Sequence, residues 1–317
     1  MTKLTFYYKL KSNCQCLLGF LLVPLLGIAQ LTFTESEEGI QIKEGDTSVL
    51  FYQKQPKSIN GEFSRNNYIH PLHGLDGSVL TEDFPEDHPH HRGVFWAWHQ
   101  VYIGNRQLGD SWECSDFIWN ISNIESSKED DILKLRVSAY WQSPLWLTRE
   151  GNQKPFLLEN TTISIYPGKS NYRIIRFEIS LLALEENLKI GGSDDEKGYG
   201  GFSVRMKLPE DVQFMSNKGK VVPENSAVKA GKWMNIFGSL TNKENNSGIV
   251  ILSHQDSRED KADWILREKE SMQNCVYPGR TVVPVSTKDP IILKYSLLVY
   301  EGTMTVQEVQ KIYKELK

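Results

Sequence analysis

The chain has 317 residues and a formal net charge of −4, which is enough for one large core. A mildly acidic chain with no basic tract is a poor partner for nucleic acid. No run is both apolar enough and long enough to span a bilayer.

Residues 1–29 read as a signal peptide. Lys3, Lys9 and Lys11 make a basic start, and Cys16 to Gly27 form a short apolar run broken by Pro24. Gly27-Ile28-Ala29 then supplies small residues at a cleavage position, with Gln30 as the new first residue. Loss of three lysines and no acid would take the charge from −4 to −7. The expectation is an exported protein, periplasmic or secreted, with residues 30–317 as a single catalytic domain. Cys14 and Cys16 precede the apolar run, which argues against a lipidated N-terminal cysteine. Cys114 and Cys275 remain, enough for one disulfide but not a disulfide framework.

The elements that follow are strand-like. Leu31 to Thr34, Ile40 to Ile42 and Val49 to Gln53 read as short edge strands. In Ile132 to Tyr140, Leu133, Leu135 and Val137 share one face, with Lys134 and Arg136 opposite. Thr161 to Tyr166 and Tyr172 to Leu182 flank the turn residues Pro167-Gly168-Lys169-Ser170 and predict a hairpin. Trp233 to Leu240, Gly248 to Ser253 and Ile291 to Tyr300 continue the pattern, with a turn at Asn245 to Gly248. Only the chain's end predicts a helix. Thr305 and Glu308 fit a capping box, and Val306, Val309, Ile312, Tyr313 and Leu316 make a helical stripe. The fold class is therefore mostly β: a large antiparallel β-sandwich with long loops and a C-terminal helix. Asn66 to Ser115, rich in Gly, Pro, Asp and His, reads as long loops on a rigid sheet, where function commonly sits.

Six of the seven histidines lie between His70 and His99, and the centre of that window is Asp87-His88-Pro89-His90-His91-Arg92-Gly93. Histidine titrates near neutrality and is the commonest metal ligand. As metal ligands, His88 and His90 would point the same way from an extended segment, with a third ligand from Asp87, His73 or Glu113. No complete zinc motif is present, so a divalent metal stays an open alternative. The metal-free alternative is an acidic-sugar site. Trp96 and Trp98 would cover a sugar ring, Arg92 would clamp a uronic carboxylate, and histidines would act as acid and base. Alternate strand positions share one face, so Trp96 and Trp98 fit a core equally well.

Two further constellations stand out. Gly191 to Arg205 is glycine-rich and contains Tyr199, Arg205 and the cation Lys197. It lacks a nucleotide-loop pattern. Ser253-His254 ends an apolar strand, and Glu113, in Ser111-Trp112-Glu113-Cys114, is the best-placed acid near the cluster. Cys114 is a weak nucleophile candidate, with nothing in the sequence that marks it as activated.

These pieces occur in an order that resembles the PmoA-type domain family, a group labelled "methane oxygenase". His70-Pro71-Leu72, Asp83-Phe84-Pro85 and His88-Pro89-His90-His91-Arg92-Gly93 resemble its first block. Tyr199 to Arg205 resembles its second, and Gly248 to His254 its third. After His254 the pattern departs, with Gln255 to Glu259 in place of the family's turn. The label itself has no support, since a membrane monooxygenase subunit needs transmembrane helices. The resemblance implies exported proteins of bacterial polysaccharide use. One branch resembles oligosaccharide dehydratases acting on glucuronate-bearing fragments of the algal polysaccharide ulvan.

The resulting expectation is a hydro-lyase that removes water from a uronate-bearing oligosaccharide. His90, His91, Arg92 and Tyr199 are the catalytic candidates, and His73, His88, Trp96, Glu113, Arg205 and His254 the substrate-binding ones. The rivals are a glycoside hydrolase or polysaccharide lyase, a non-catalytic sugar-binding protein, and a metal-dependent oxygenase.

Overall fold

In the computed structural model the described residues are 1–2, 30–241, 246–254, 262–269 and 272–317. The expected signal peptide, the start of the Asn245 turn and the segment Gln255 to Glu259 lie outside them. Two nine-stranded antiparallel sheets dominate. The first places Tyr68–Leu72, Val94–Trp98, Gly200–Arg205 and Met272–Val276 side by side at its centre, with Leu31–Glu35 at one edge. The second runs from Ile118–Glu129 through Ile132–Gln142, Leu157–Ile165, Tyr172–Ala183 and Ile291–Glu301 to Ser247–Ser253 and Trp233–Gly238. A four-stranded sheet and a two-stranded ribbon, Lys57–Ile59 with Glu62–Arg65, complete the β-structure.

Alternation explains most of this. Leu133, Leu135 and Val137 are buried between the sheets, as their spacing predicts. The predicted hairpin forms, with Ile165 paired to Ile175. Inner-face aromatics from both sheets interlock: Trp98 lies 5.5 Å from Trp141, and Phe202 stacks 4.6 Å from Tyr295. Such rings bury large apolar areas and dominate core energetics.

The single α-helix, Val306–Leu316, opens with the expected capping box. Thr305 Oγ1 accepts from the Glu308 amide at 3.2 Å, while Glu308 accepts from the Thr305 amide at 2.8 Å. Its buried stripe, Val309, Ile312 and Tyr313, packs on the outer side of the second sheet against Val250, Leu252 and Leu298. Among the described residues no helix is long and apolar enough to cross a membrane.

The window Asn66 to Ser115 differs from the loop expectation. It contributes two central strands of the first sheet, Tyr68–Leu72 and Val94–Trp98. All five residues of Val94–Trp98 are buried, so the segment lacks the polar alternation that marks a half-exposed strand. Gly93 has φ of +49°, and a Cβ there would sit 2.0 Å from the Ile69 carbonyl oxygen. Glycine is thus required where the His-rich loop meets the neighbouring strand. Cys114 and Cys275 are free thiols rather than a disulfide, and burial pushes the Cys275 thiol up to about 12.

Candidate active site

The site forms on the outer face of the first sheet. Along Val94–Trp98 the inner positions Val94, Trp96 and Trp98 enter the main core. Phe95 and Ala97 face outward, joined by Tyr68, Trp112 and Met272. Two loops cover this face: residues 73–93 and the turn around 110–115.

Asp110 builds the second loop. Its Oδ1 accepts from the amides of Trp112 and Glu113, both at 2.9 Å, and its Oδ2 accepts from His99 Nδ1 at 2.8 Å. Arg65, only 1% exposed, ties the loop to the sheet by donating to the carbonyls of Ser111 and Trp112. Its guanidinium lies over Phe95 and Trp119 at 4.9 and 4.7 Å. Trp112 becomes a hub, with the rings of His91, His99, Phe95 and Tyr199 all 5.3 to 6.0 Å from it.

The first loop brings His88, His90 and His91 together. His88 stacks on His91 at 4.8 Å, and His90 meets His91 edge-on at 4.4 Å. His90 Nδ1 lies 3.2 Å from Glu113 Oε2, and His88 Nδ1 lies 2.6 Å from Asp87 Oδ2. The Asp87 hydrogen bond at Nδ1 fixes the His88 tautomer, with Nε2 as the basic atom, while Glu113 places a carboxylate at ion-pair distance from His90 Nδ1. Burial, reinforced by the Arg65 charge and by His88 and His99, lowers His90 to about 4. Burial, with His90, His88 and Arg205 adding, holds His91 well below its usual value. Burial raises the Glu113 carboxyl, against the pull of His99. At neutral pH His90 and His91 are therefore uncharged imidazoles.

Arg205, 2% exposed, donates from Nε to Glu82 at 2.8 Å and forms a two-pronged pair with Asp87 at 2.8 and 3.0 Å. Its Nη1 also lies 3.4 Å from His91 Nδ1, which must accept. Burial alone would raise Asp87, but the hydrogen bonds from Arg205 and His88 outweigh it and keep the carboxyl low. A groove of about 590 Å³ opens beside Arg205 and Glu82, with Met206, Leu208 and Val212 among its apolar lining.

Tyr199 stands across Trp112 from the histidines. Its hydroxyl oxygen accepts from Arg267 Nη2 at 2.7 Å, so its own proton is available to a ligand. Arg267 is itself fixed by the carbonyls of Glu224, Leu266 and Asn225. The Lys197 ammonium hangs 5.8 Å from the Tyr199 ring centre.

Several sequence expectations are corrected by these positions. Arg92 is 0% exposed. Its Nε donates to Asp83, its Nη2 to the Tyr68 hydroxyl, and its Nη1 to the carbonyls of Phe63 and Lys57. It braces the loop from within and presents no clamp to a ligand. Trp96 is 2% exposed and donates inward to the buried Glu159 at 2.8 Å, so it is a core residue. Trp141, Asn67 and Thr161 donate to the same carboxylate. His73 is held by the Gly77 carbonyl at 2.8 Å. His254 belongs to the second sheet, bonded to Ser296 at 3.0 Å and stacked on Tyr313 of the helix. It does not join the cluster.

Sequence reasoning missed Arg65, Asp110, Trp112 and Arg267. Asp110 and Trp112 sit next to Glu113 and carried a faint signal by adjacency; Arg65 and Arg267 carried none. As metal candidates, the rings of His88, His90 and His91 are close. Even so, among the described residues no three His, Cys, Asp or Glu side chains converge as a ligand set.

No curated protein matches the chain. A model described as a family of unknown function, DUF6807, matches residues 39–314, and the chain belongs to that family.

Proposed function

We propose that this chain is a carbohydrate-active dehydratase, a hydro-lyase that removes water from a uronate-bearing oligosaccharide such as an ulvan fragment. The observation that carries the reading is the His90–Glu113 pair, a neutral imidazole with a carboxylate 3.2 Å from its Nδ1. That arrangement is a general base without an attached nucleophile.

His90 Nε2 takes the C5 proton, the C5–H electron pair becomes the C4=C5 double bond, and the C4–O bond breaks. The departing hydroxyl leaves as water with a proton from Tyr199, whose oxygen is already occupied by Arg267. Negative charge builds on the uronate carboxylate, and a cation there is the largest expected stabilisation. Lys197 takes that role in place of Arg92. His91 and Trp112 wall the site and exclude water. The groove beside Arg205, which mixes charged residues with Met206, Leu208 and Val212, supplies room for neighbouring sugar units. The basic, apolar start of the sequence supports action outside the cytoplasm.

Incubation with a panel of uronic oligosaccharides, with and without chelator, tests the reading by mass. Dehydration removes one water with the chain intact, hydrolysis adds one, and a lyase splits the chain. Loss of activity with chelator would bring the metal alternative forward.

A further inference from the structure

The outer face of the second sheet holds a polar groove of about 290 Å³, on the opposite side of the sandwich from the histidines. Strand register builds it. Lys134, Ser164, Arg176 and Ser296 occupy one rung across four neighbouring strands. Arg136, Thr162, Glu178 and Lys294 occupy the next. Beyond Ser296, His254 accepts or donates at 3.0 Å and rests on Tyr313 of the helix, which closes that end.

The groove offers three kinds of contact. Arg176 spends one donor, on the Leu316 carbonyl at 3.2 Å, and pairs with no carboxylate among the described residues. Its planar fork retains donors in the geometry that fits a carboxylate or sulfate two-pronged. Lys134 and Lys294 flank it, already paired with Glu129 and Glu178. Thr162 and Ser164 make no side-chain hydrogen bond among the described residues, and both line the groove together with Tyr166. Hydroxyls beside an aromatic face suit a ring that is polar at its edges and apolar on its face. Strands spaced about 4.8 Å apart put Lys134 and Arg176 on the order of 10 Å apart at the backbone, the width of one sugar ring with substituents. The volume is at the small end of ligand clefts, about 300 Å³ and upward.

We infer that this groove is a second, non-catalytic subsite that binds one anionic pyranose unit, its oxyanion on Arg176 and its ring over Ser164 toward Tyr166. It would hold a polymer to the protein while the distant site acts. The binding does not depend on what the histidine cluster does.

Binding is measured by calorimetry on the full chain carrying His90→Gln, with glucuronic acid, galactose 6-sulfate and neutral galactose as probes. The expected result is that one or both anionic sugars bind, that galactose binds at least tenfold more weakly, and that Arg176→Gln removes the difference. Arg176→Lys restores part of it. The carboxylate and sulfate arms identify which oxyanion the groove prefers. In the His90-intact protein, Arg176→Gln leaves turnover of short oligosaccharides unchanged. A thermal melt matching the parent shows that Arg176→Gln is folded. Equal binding of all three sugars, absence of binding, or anionic binding unaffected by a folded Arg176→Gln would overturn the subsite. Failure of dehydratase activity alone would leave these outcomes as they are.

Discussion

His90 and Glu113 sit on different loops, yet the imidazole Nδ1 and the carboxylate Oε2 come within 3.2 Å. The contact exists because Asp110 folds one loop and Arg65 ties it to the sheet. The negative charge of Glu113 beside Nδ1 favours a proton there and so favours Nε2 as the base.

Glu113→Gln should keep the fold and lower kcat by on the order of 10²-fold or more, the usual worth of a general base. The amide can pair with either tautomer and no longer favours the basic Nε2. His90→Gln should lose as much, and the double variant little more, because the two residues act as one unit. Steady-state kinetics on the dehydrated substrate check this, and fully additive losses would separate the residues.

Burial lowers both His90 and His70 to about 4 from a usual 6.5. The unfolded chain therefore binds more protons than the folded one between these values. The stability from keeping these rings neutral is present above about pH 6.5 and is lost as pH falls toward 4, with a slope of about 1.4 kcal/mol per pH unit for each group. Urea denaturation between pH 4 and 7 should show that loss. By the same shift, the acid limb of kcat/KM should lie near pH 4 rather than 6.5.

Arg92→Met should destabilise by about 3–5 kcal/mol, because Asp83 would stay buried and lose its main partner. The Asp83 side chain is 7% exposed, and burial would raise its carboxyl if Arg92 did not hold it down. The measurement is the urea midpoint. A variant of unchanged stability but lost substrate affinity would return Arg92 to the clamp role.

Trp96→Ala should cost about 3–5 kcal/mol as a core truncation, and should leave KM unchanged in the folded fraction. His254→Ala should likewise leave KM for short oligosaccharides unchanged, since His254 lies on the other sheet. A rise in KM for either variant would place that residue at the site.

The fold was legible where one face of an element is wet. Leu133, Leu135 and Val137 alternate with lysine and arginine, and Thr305 with Glu308 announces the helix. Val94–Trp98 hides for the opposite reason: both of its faces are covered, so alternation vanishes. At the site, clustering of histidines marked the right loop, but composition could not separate lining from bracing. Arg92 is adjacent to His91 in sequence and still points into the protein, because neighbours on an extended chain face opposite ways. Arg65 arrives from the two-stranded ribbon, Arg267 from the loop after Asp263–Ile265 and Trp112 from a turn, so only the folded chain reveals them. Trp96 was ambiguous by pattern, and the inner-face register decides for the core.

The most direct measurement uses a uronate oligosaccharide carrying deuterium at C5, followed by mass and NMR in wild type and His90→Gln. The predicted result is a product one water lighter that has lost the C5 label, formed by wild type and at least 10²-fold more slowly by His90→Gln. A product that keeps the C5 deuterium, or one formed equally fast without His90, would contradict proton abstraction by the His90–Glu113 pair.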